Sequence, residues 1–175
     1  MRIVGGKYKG RNLAVFKGNE IRPTSDMARE SLFNILYNVT DKTFLDLFCG
    51  SGAVGIEALS RGAKRVDFND LSKDSLAVTK KNLSLIGNPI NAFTYNYDAA
   101  AFLKKDGGTY DIIFIDPPYK EGFNGDILLL CENKLSDSGV IIYESESEFN
   151  GEIKGLKVKD RRKYGRARLT FFVKE

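Results

Sequence analysis

Apolar and polar positions change their period several times along this chain of 175 residues. Near the start, RIVGG (2–6) and RNLAVF (11–16) are short strand-like runs separated by glycine-rich turn residues, which predicts a β-hairpin. RPTSDMARESLFNILYNV (22–39) then takes helical spacing, with Ala28, Leu32, Ile35, Leu36 and Val39 recurring three or four apart. Pro23 and the possible caps Thr24, Ser25 and Asp26 mark its start, and Asp26 and Glu30 suit the positive end of a helix dipole.

From Thr43 onward, strand-like and helix-like segments alternate. TFLDLF (43–48), RVDFND (65–70), NAFTYNY (91–97), YDIIFID (110–116) and GVIIYESE (139–146) read as strands. Helices are expected in AVGIEALSRG (53–62), SKDSLAVTKKNLSLIG (72–87), DAAAFLKK (98–105) and within GDILLLCENKL (125–135). Near-continuous apolar strands that alternate with helices predict a parallel sheet covered on both faces. The tail, GLKVKDRRKYG (155–165) and RARLTFFVKE (166–175), reads as two strands around a turn at Gly165. The expected fold is a single α/β domain with a doubly wound, mostly parallel, seven-stranded sheet. Residues 1–40 are expected to form an N-terminal hairpin and helix extension, residues 41–175 the core, and the tail an antiparallel C-terminal hairpin.

Composition narrows the chemistry. No apolar run approaches the roughly 20 residues of a membrane span, and MRIVGGKYKG has no apolar signal region. Cys49 and Cys131 are the only cysteines, with no C-x-x-C spacing, so neither a disulfide scaffold nor a cysteine metal cluster is expected. A reducing, cytoplasmic setting follows. Histidine is absent, which excludes His-dependent triads and HExxH sites. Chemistry here must run on carboxylates, tyrosine, backbone groups or a reactive cofactor, and no metal is expected.

The net charge of +4 is unevenly spread. Residues 1–19 carry Arg2, Lys7, Lys9, Arg11 and Lys17 and no acid, and KVKDRRKYGRARL forms a second basic run near the C-terminus. Two solvated faces and an anionic partner both fit this distribution.

DLFCGSGAVG (46–55) fits G-x-G-x-x-G at Gly50, Gly52 and Gly55, with Asp70 following at the distance of a ribose-binding acid. Such a loop cradles an adenosine-bearing cofactor at the carboxyl ends of the strands. Dinucleotides and S-adenosylmethionine both use it. Asp46 would repel a pyrophosphate and attract the ammonium of a methionine moiety. Asp98 opens the segment after the third strand; it is placed to hold an adenine amino group, or equally to cap a helix.

At the end of the fourth strand, DIIFIDPPY delivers Asp116, Pro117, Pro118 and Tyr119. The prolines cannot extend the ladder and fix their φ angles, so they make a stiff loop beside the cofactor crevice. An exocyclic base amine is a poor nucleophile because its lone pair is delocalised into the ring. The Asp116 carboxylate and the Pro117 carbonyl could hold its hydrogens and orient its nitrogen, while Tyr119 stacks on a base taken out of its helix. Cys49 and Cys131 lie off this loop, which argues against a cysteine-nucleophile mechanism of pyrimidine methylation.

RIVGGKYKGRNL, RPTSDMARESLFNIL, DLFCGSGAVGIEALSRGA, DPPY and YGRARLTFF together resemble the RsmD-type 16S rRNA guanine-N2 methyltransferases, of the class I S-adenosylmethionine-dependent fold. The resemblance runs from residue 2 to residue 172; DPPY alone is shared with adenine-N6 enzymes acting on DNA or RNA. It implies an S-adenosylmethionine site lined by Asp46, Phe48, Gly50, Ser51, Gly52, Asp70, Leu71, Asp98, Ala99 and Asp116. It implies a target-amine site at Asp116, Pro117, Pro118 and Tyr119. The substrate it implies is 16S rRNA in the small ribosomal subunit or its assembly intermediates. Under this reading Lys7, Lys9, Arg11, Arg22, Tyr164 and Arg166 contact RNA, through phosphates and stacking, and the protein acts as a cytoplasmic monomer. Cys49 stands where the family commonly has Ala, and Asp70 where Glu is frequent.

Overall fold

Ser25 opens the first helix. Its backbone is extended and its side chain accepts a hydrogen bond from the Ala28 N–H at 3.2 Å, the usual work of an N-cap serine. The structure, a computed structural model, describes residues 1–15, 25–105, 108–118 and 125–175. Helix α1 (Asp26–Leu36) ends three residues before Val39. Tyr37 turns to φ 59° and ψ −60°, and the Asn38 N–H bonds back to the Leu36 carbonyl at 2.7 Å. The Asn38 side chain accepts from the Thr40 N–H at 2.8 Å, a local bond that competes with helical continuation.

The alternation that follows is β1 (Thr43–Asp46), α2 (Ala53–Ser60), β2 (Arg65–Asn69), α3 (Lys73–Leu85), β3 (Ala92–Tyr95), α4 (Ala99–Lys105), β4 (Tyr110–Ile115), α5 (Asp126–Glu132) and β5 (Leu135–Ser145). Strands β6 (Leu156–Tyr164) and β7 (Ala167–Lys174) close the chain as a hairpin. One sheet holds all seven strands in the order β3-β2-β1-β4-β5-β7-β6. Strands β1 to β5 are mutually parallel, and β7 runs antiparallel to both β5 and β6. The carboxyl ends of β1 to β5 therefore share one edge, and the tip of the β6–β7 hairpin reaches the same edge, with Ser145 opposite Arg168.

Strand alternation divides the core. Phe44, Phe68, Phe114, Ile142 and Leu169 face α1, α2 and α3, while Leu45, Ile113, Ile115, Tyr143 and Phe172 face α4 and α5. The N-terminal segment packs on the first of these faces through Ile3 and Leu13. The expected N-terminal strands narrow to one antiparallel bridge, Arg2 to Asn12. The Ile3 N–H donates to the Arg11 carbonyl at 3.0 Å and the Gly10 N–H to the Ile3 carbonyl at 2.8 Å, but nearer the turn the backbone bonds elsewhere: the Val4 N–H donates to the buried Glu57 carboxylate at 2.9 Å, and the Lys7 N–H to the Ser60 carbonyl at 2.7 Å. Phe16, the last residue of RNLAVF, lies outside the described residues, as do Arg22 to Thr24 of RPTSD. Strand β5 starts earlier than the apolar run GVIIYESE suggests, at Leu135.

Candidate active site

The glycine loop leaves β1 at the shared carboxyl edge. Gly50 and Gly52 have φ of 54° and 76°, which side chains other than glycine rarely adopt. A Cβ on Gly50 would meet nothing within 4 Å, so its backbone is open to a ligand. A Cβ on Gly55 would sit 2.3 Å from the Phe68 ring, so this third glycine is what lets α2 close on β2. Gly50 thus serves ligand approach, Gly52 the left-handed turn packed against Thr79, and Gly55 helix–sheet packing.

Three polar side chains absent from the expected site hold this loop. Thr79 donates its hydroxyl to the Gly50 carbonyl at 2.8 Å, and the Asn82 amide donates to the Ser51 carbonyl at 2.9 Å. Asn82 also bonds both backbone groups of Ala14, which ties the N-terminal segment to the loop. Asn69 donates to the carbonyls of Leu47 and Tyr97, joining the ends of β1, β2 and β3. Their signal in the sequence is polarity at buried positions: Thr79 and Asn82 interrupt the apolar stripe of α3, and Asn69 ends an apolar strand.

Asp46 is 2% exposed and accepts from the Gly55 N–H at 3.0 Å. Burial, together with the charge of Asp70, pushes its carboxyl up to about 7 against the pull of that hydrogen bond. A cation beside Asp46 relieves that cost, and a diphosphate adds to it. The site therefore suits the ammonium of S-adenosylmethionine and not a dinucleotide. Asp70 bridges the loop and the start of α3, accepting from the Gly50 N–H at 2.9 Å and the Ser72 N–H at 2.8 Å. Each of its oxygens keeps a lone pair for a ribose hydroxyl. Asp98 caps α4, its Oδ1 accepting from the Ala101 N–H at 3.1 Å. Phe48 is half-buried, Ser51 and Ala99 are buried, and Leu71 is exposed beside Asp70.

Cys49 is buried with its sulfur 3.5 Å from the Thr79 hydroxyl. Burial and the Asp46 carboxyl push its thiol well up, which leaves no thiolate for nucleophilic attack. Burial does the same to Cys131 in α5.

Strand β4 lies beside β1 with Asp46 opposite Phe114, so Asp116 follows at the edge next to the loop. Asp116 is half-buried, Pro117 buried and Pro118 exposed. Tyr119 lies outside the described residues.

The two basic runs occupy opposite edges of the sheet. The tip of the β6–β7 hairpin, with Arg166 exposed and Tyr164 half-buried, is on the crevice edge. Lys7 and Arg11 lie by the far ends of α2 and α3, where the Arg11 guanidinium donates to the Leu85 carbonyl at 2.8 Å, and Lys9 is on the same turn. Lys7 and Arg11 also stand over the Tyr8 ring, 5.3 and 5.5 Å from its centroid.

Sheet order, glycine loop and crevice carboxylates together define a class I methyltransferase. The chain belongs to the family described as Conserved hypothetical protein 95, whose model matches residues 1–173. It is 39% identical over 151 residues to Ribosomal RNA small subunit methyltransferase D of Escherichia coli (strain K12), covering 85% of this chain and 76% of that protein. Its identity to the Haemophilus influenzae protein of the same name is 37% over 154 residues, covering 85% and 80%. The solved structure of the Escherichia coli protein yhhF superposes with a TM-score of 0.88 at 32% identity, covering 100% of this chain and 98% of that one.

Proposed function

We propose that this protein transfers a methyl group from S-adenosylmethionine to the exocyclic N2 amine of a guanine in 16S ribosomal RNA. Its substrate is the assembled or partly assembled small subunit, and it works as a cytoplasmic monomer. The observation that carries the reading is the placement of Asp116 and Pro117 at the strand edge beside a loop whose buried Asp46 favours a cation. The names of the relatives support ribosomal RNA as the substrate.

When bound, S-adenosylmethionine supplies a methyl group already activated on a sulfonium. Asp46 holds the ammonium of its methionine part, Asp70 the ribose hydroxyls and Asp98 the adenine amine, with Phe48, Ser51, Leu71 and Ala99 lining the same site. Asp116 and the Pro117 carbonyl accept the two N2 hydrogens and aim the nitrogen, and Tyr119 stacks on the flipped base. Orientation of this kind contributes as much as about 7–11 kcal/mol of barrier lowering. Lys7, Lys9, Arg11, Arg22, Tyr164 and Arg166 contact the RNA. The protein selects a structured ribonucleoprotein and not a short sequence.

Labelled methyl transfer to small subunits and to naked 16S rRNA, followed by nucleoside mass spectrometry, tests the reading. N2-methylguanosine on the particle is the expected product; methylated adenosine in its place overturns it. Asp116→Ala is expected to abolish transfer while S-adenosylhomocysteine still binds, because Asp116 acts on the amine. Loss of that binding would refute the division of roles.

A further inference from the structure

We infer that Glu144 is a second base-reading carboxylate, and that it selects guanine by accepting the ring N1–H next to the amine held by Asp116. The inference rests on the guanine reading above and adds the residue that separates guanine from adenine, which DPPY does not do.

Strands β4 and β5 are parallel with Ile115 opposite Tyr143, so Asp116 and Glu144 follow side by side at the carboxyl edge. Neighbouring strands lie about 4.8 Å apart, and residues two apart share a face. Phe114 and Ile142 both face the α1–α3 side, and alternation directs Asp116 and Glu144 the same way. Asp46, paired with Phe114, is on this face one step deeper. The opposite neighbour of Glu144 is the buried Leu169 of β7, and Tyr164 packs against the same cluster. Glu144 is 5% exposed, close to the 2% of Asp46. A carboxylate at a strand end directly beside the amine site is positioned to meet the edge of a base bound there.

The Watson–Crick edge of guanine presents two adjacent donors, N1–H and the N2 amine. Two carboxylates on one face match that pair. Adenine presents an amine donor and an N1 lone pair, which a second carboxylate repels. A site that hydrogen-bonds a substrate N–H rejects analogues lacking it strongly, because its own polar group is left without a partner. Glu144 then acts on which base is accepted, while Asp116 acts on the amine common to both.

The test uses small-subunit RNA, assembled with its proteins, in which the target guanine is replaced through ligation by 2-aminopurine. That base keeps the 2-amino group but carries a lone pair at N1. Wild-type protein is expected to favour guanine by about a hundredfold or more in kcat/KM. In Glu144→Gln, whose amide can donate to N1, the preference falls below roughly tenfold, with S-adenosylhomocysteine affinity unchanged, and Glu144→Asp retains the guanine preference. Equal wild-type rates on the two bases overturn the inference without any variant. So does a Glu144→Gln protein that keeps the wild-type ratio, however slow it becomes, since that is the signature of a purely structural carboxylate. Failure of wild-type protein to methylate guanine on the unmodified particle overturns the parent reading instead.

Discussion

Asp46 is almost fully buried beside a second acid, and these raise its carboxyl to about 7 against the pull of its one backbone donor. Because the folded value lies above the ordinary 3.8, this group stabilises the cofactor-free fold at low pH, and that contribution is lost as pH rises through about 7. A bound cation favours the ionised form. Cofactor affinity is therefore expected to increase with pH up to about 7 and then level off, with up to one proton released on binding at lower pH. Calorimetry in buffers of different ionisation enthalpy measures that proton. Asp46→Asn is expected to weaken S-adenosylmethionine binding by roughly 10- to 100-fold, the scale of a hydrogen bond to a charged group, without lowering the melting temperature near pH 8. A flat affinity profile across pH 5–8 counts against the assignment. Asp46, Asp70 and Asp116 were legible as site candidates because charge in or beside an apolar strand is conspicuous. Thr79, Asn82 and Asn69 were not, since each is an ordinary polar residue until its burial is known.

The elements follow the periodicity closely where burial is two-sided, as in β1, β2 and β4. They depart from it where local polar bonds intervene. Tyr37 and Asn38 stop α1 early, and Glu57 and Ser60 draw the backbone of Val4, Lys7 and Tyr8 away from strand pairing. Neither competitor is visible as a period. Gly55 belongs to this scale, because it sets the distance between α2 and β2. Gly55→Ala is expected to cost about 1–3 kcal/mol, the usual range for overpacking, and to lower cofactor affinity by displacing the Asp46–Gly55 hydrogen bond. Thermal unfolding and a binding titration on the same variant check both parts. The hairpin tip gives a second prediction. Arg166→Ala combined with Lys163→Ala is expected to raise KM for the ribosomal particle about tenfold with kcat little changed, and an unaltered KM would remove the tip from the RNA path.

Across the whole molecule, charge is organised by sheet edge. The C-terminal run reaches the crevice, and the N-terminal run gathers at the far ends of α2 and α3. Spacing along the chain gave no hint of this separation, because strand direction decides it. Binding to RNA should weaken steeply with salt, and each phosphate contact removed should flatten the logarithmic slope by about 0.7–0.9. Lys7→Ala with Lys9→Ala should therefore reduce the slope without changing which base is modified. The strand order carries one more implication. Strand β7 is the last of the seven in sequence, yet it lies between β5 and β6. During synthesis β6 has no partner until β7 emerges, and the flank of β5 stays bare for the same interval. Most of the chain must wait as an incomplete sheet with an open hydrogen-bonding edge, the kind of species that invites chaperones and misassembly. The last of the seven strands to be made is the wedge that finishes the sheet.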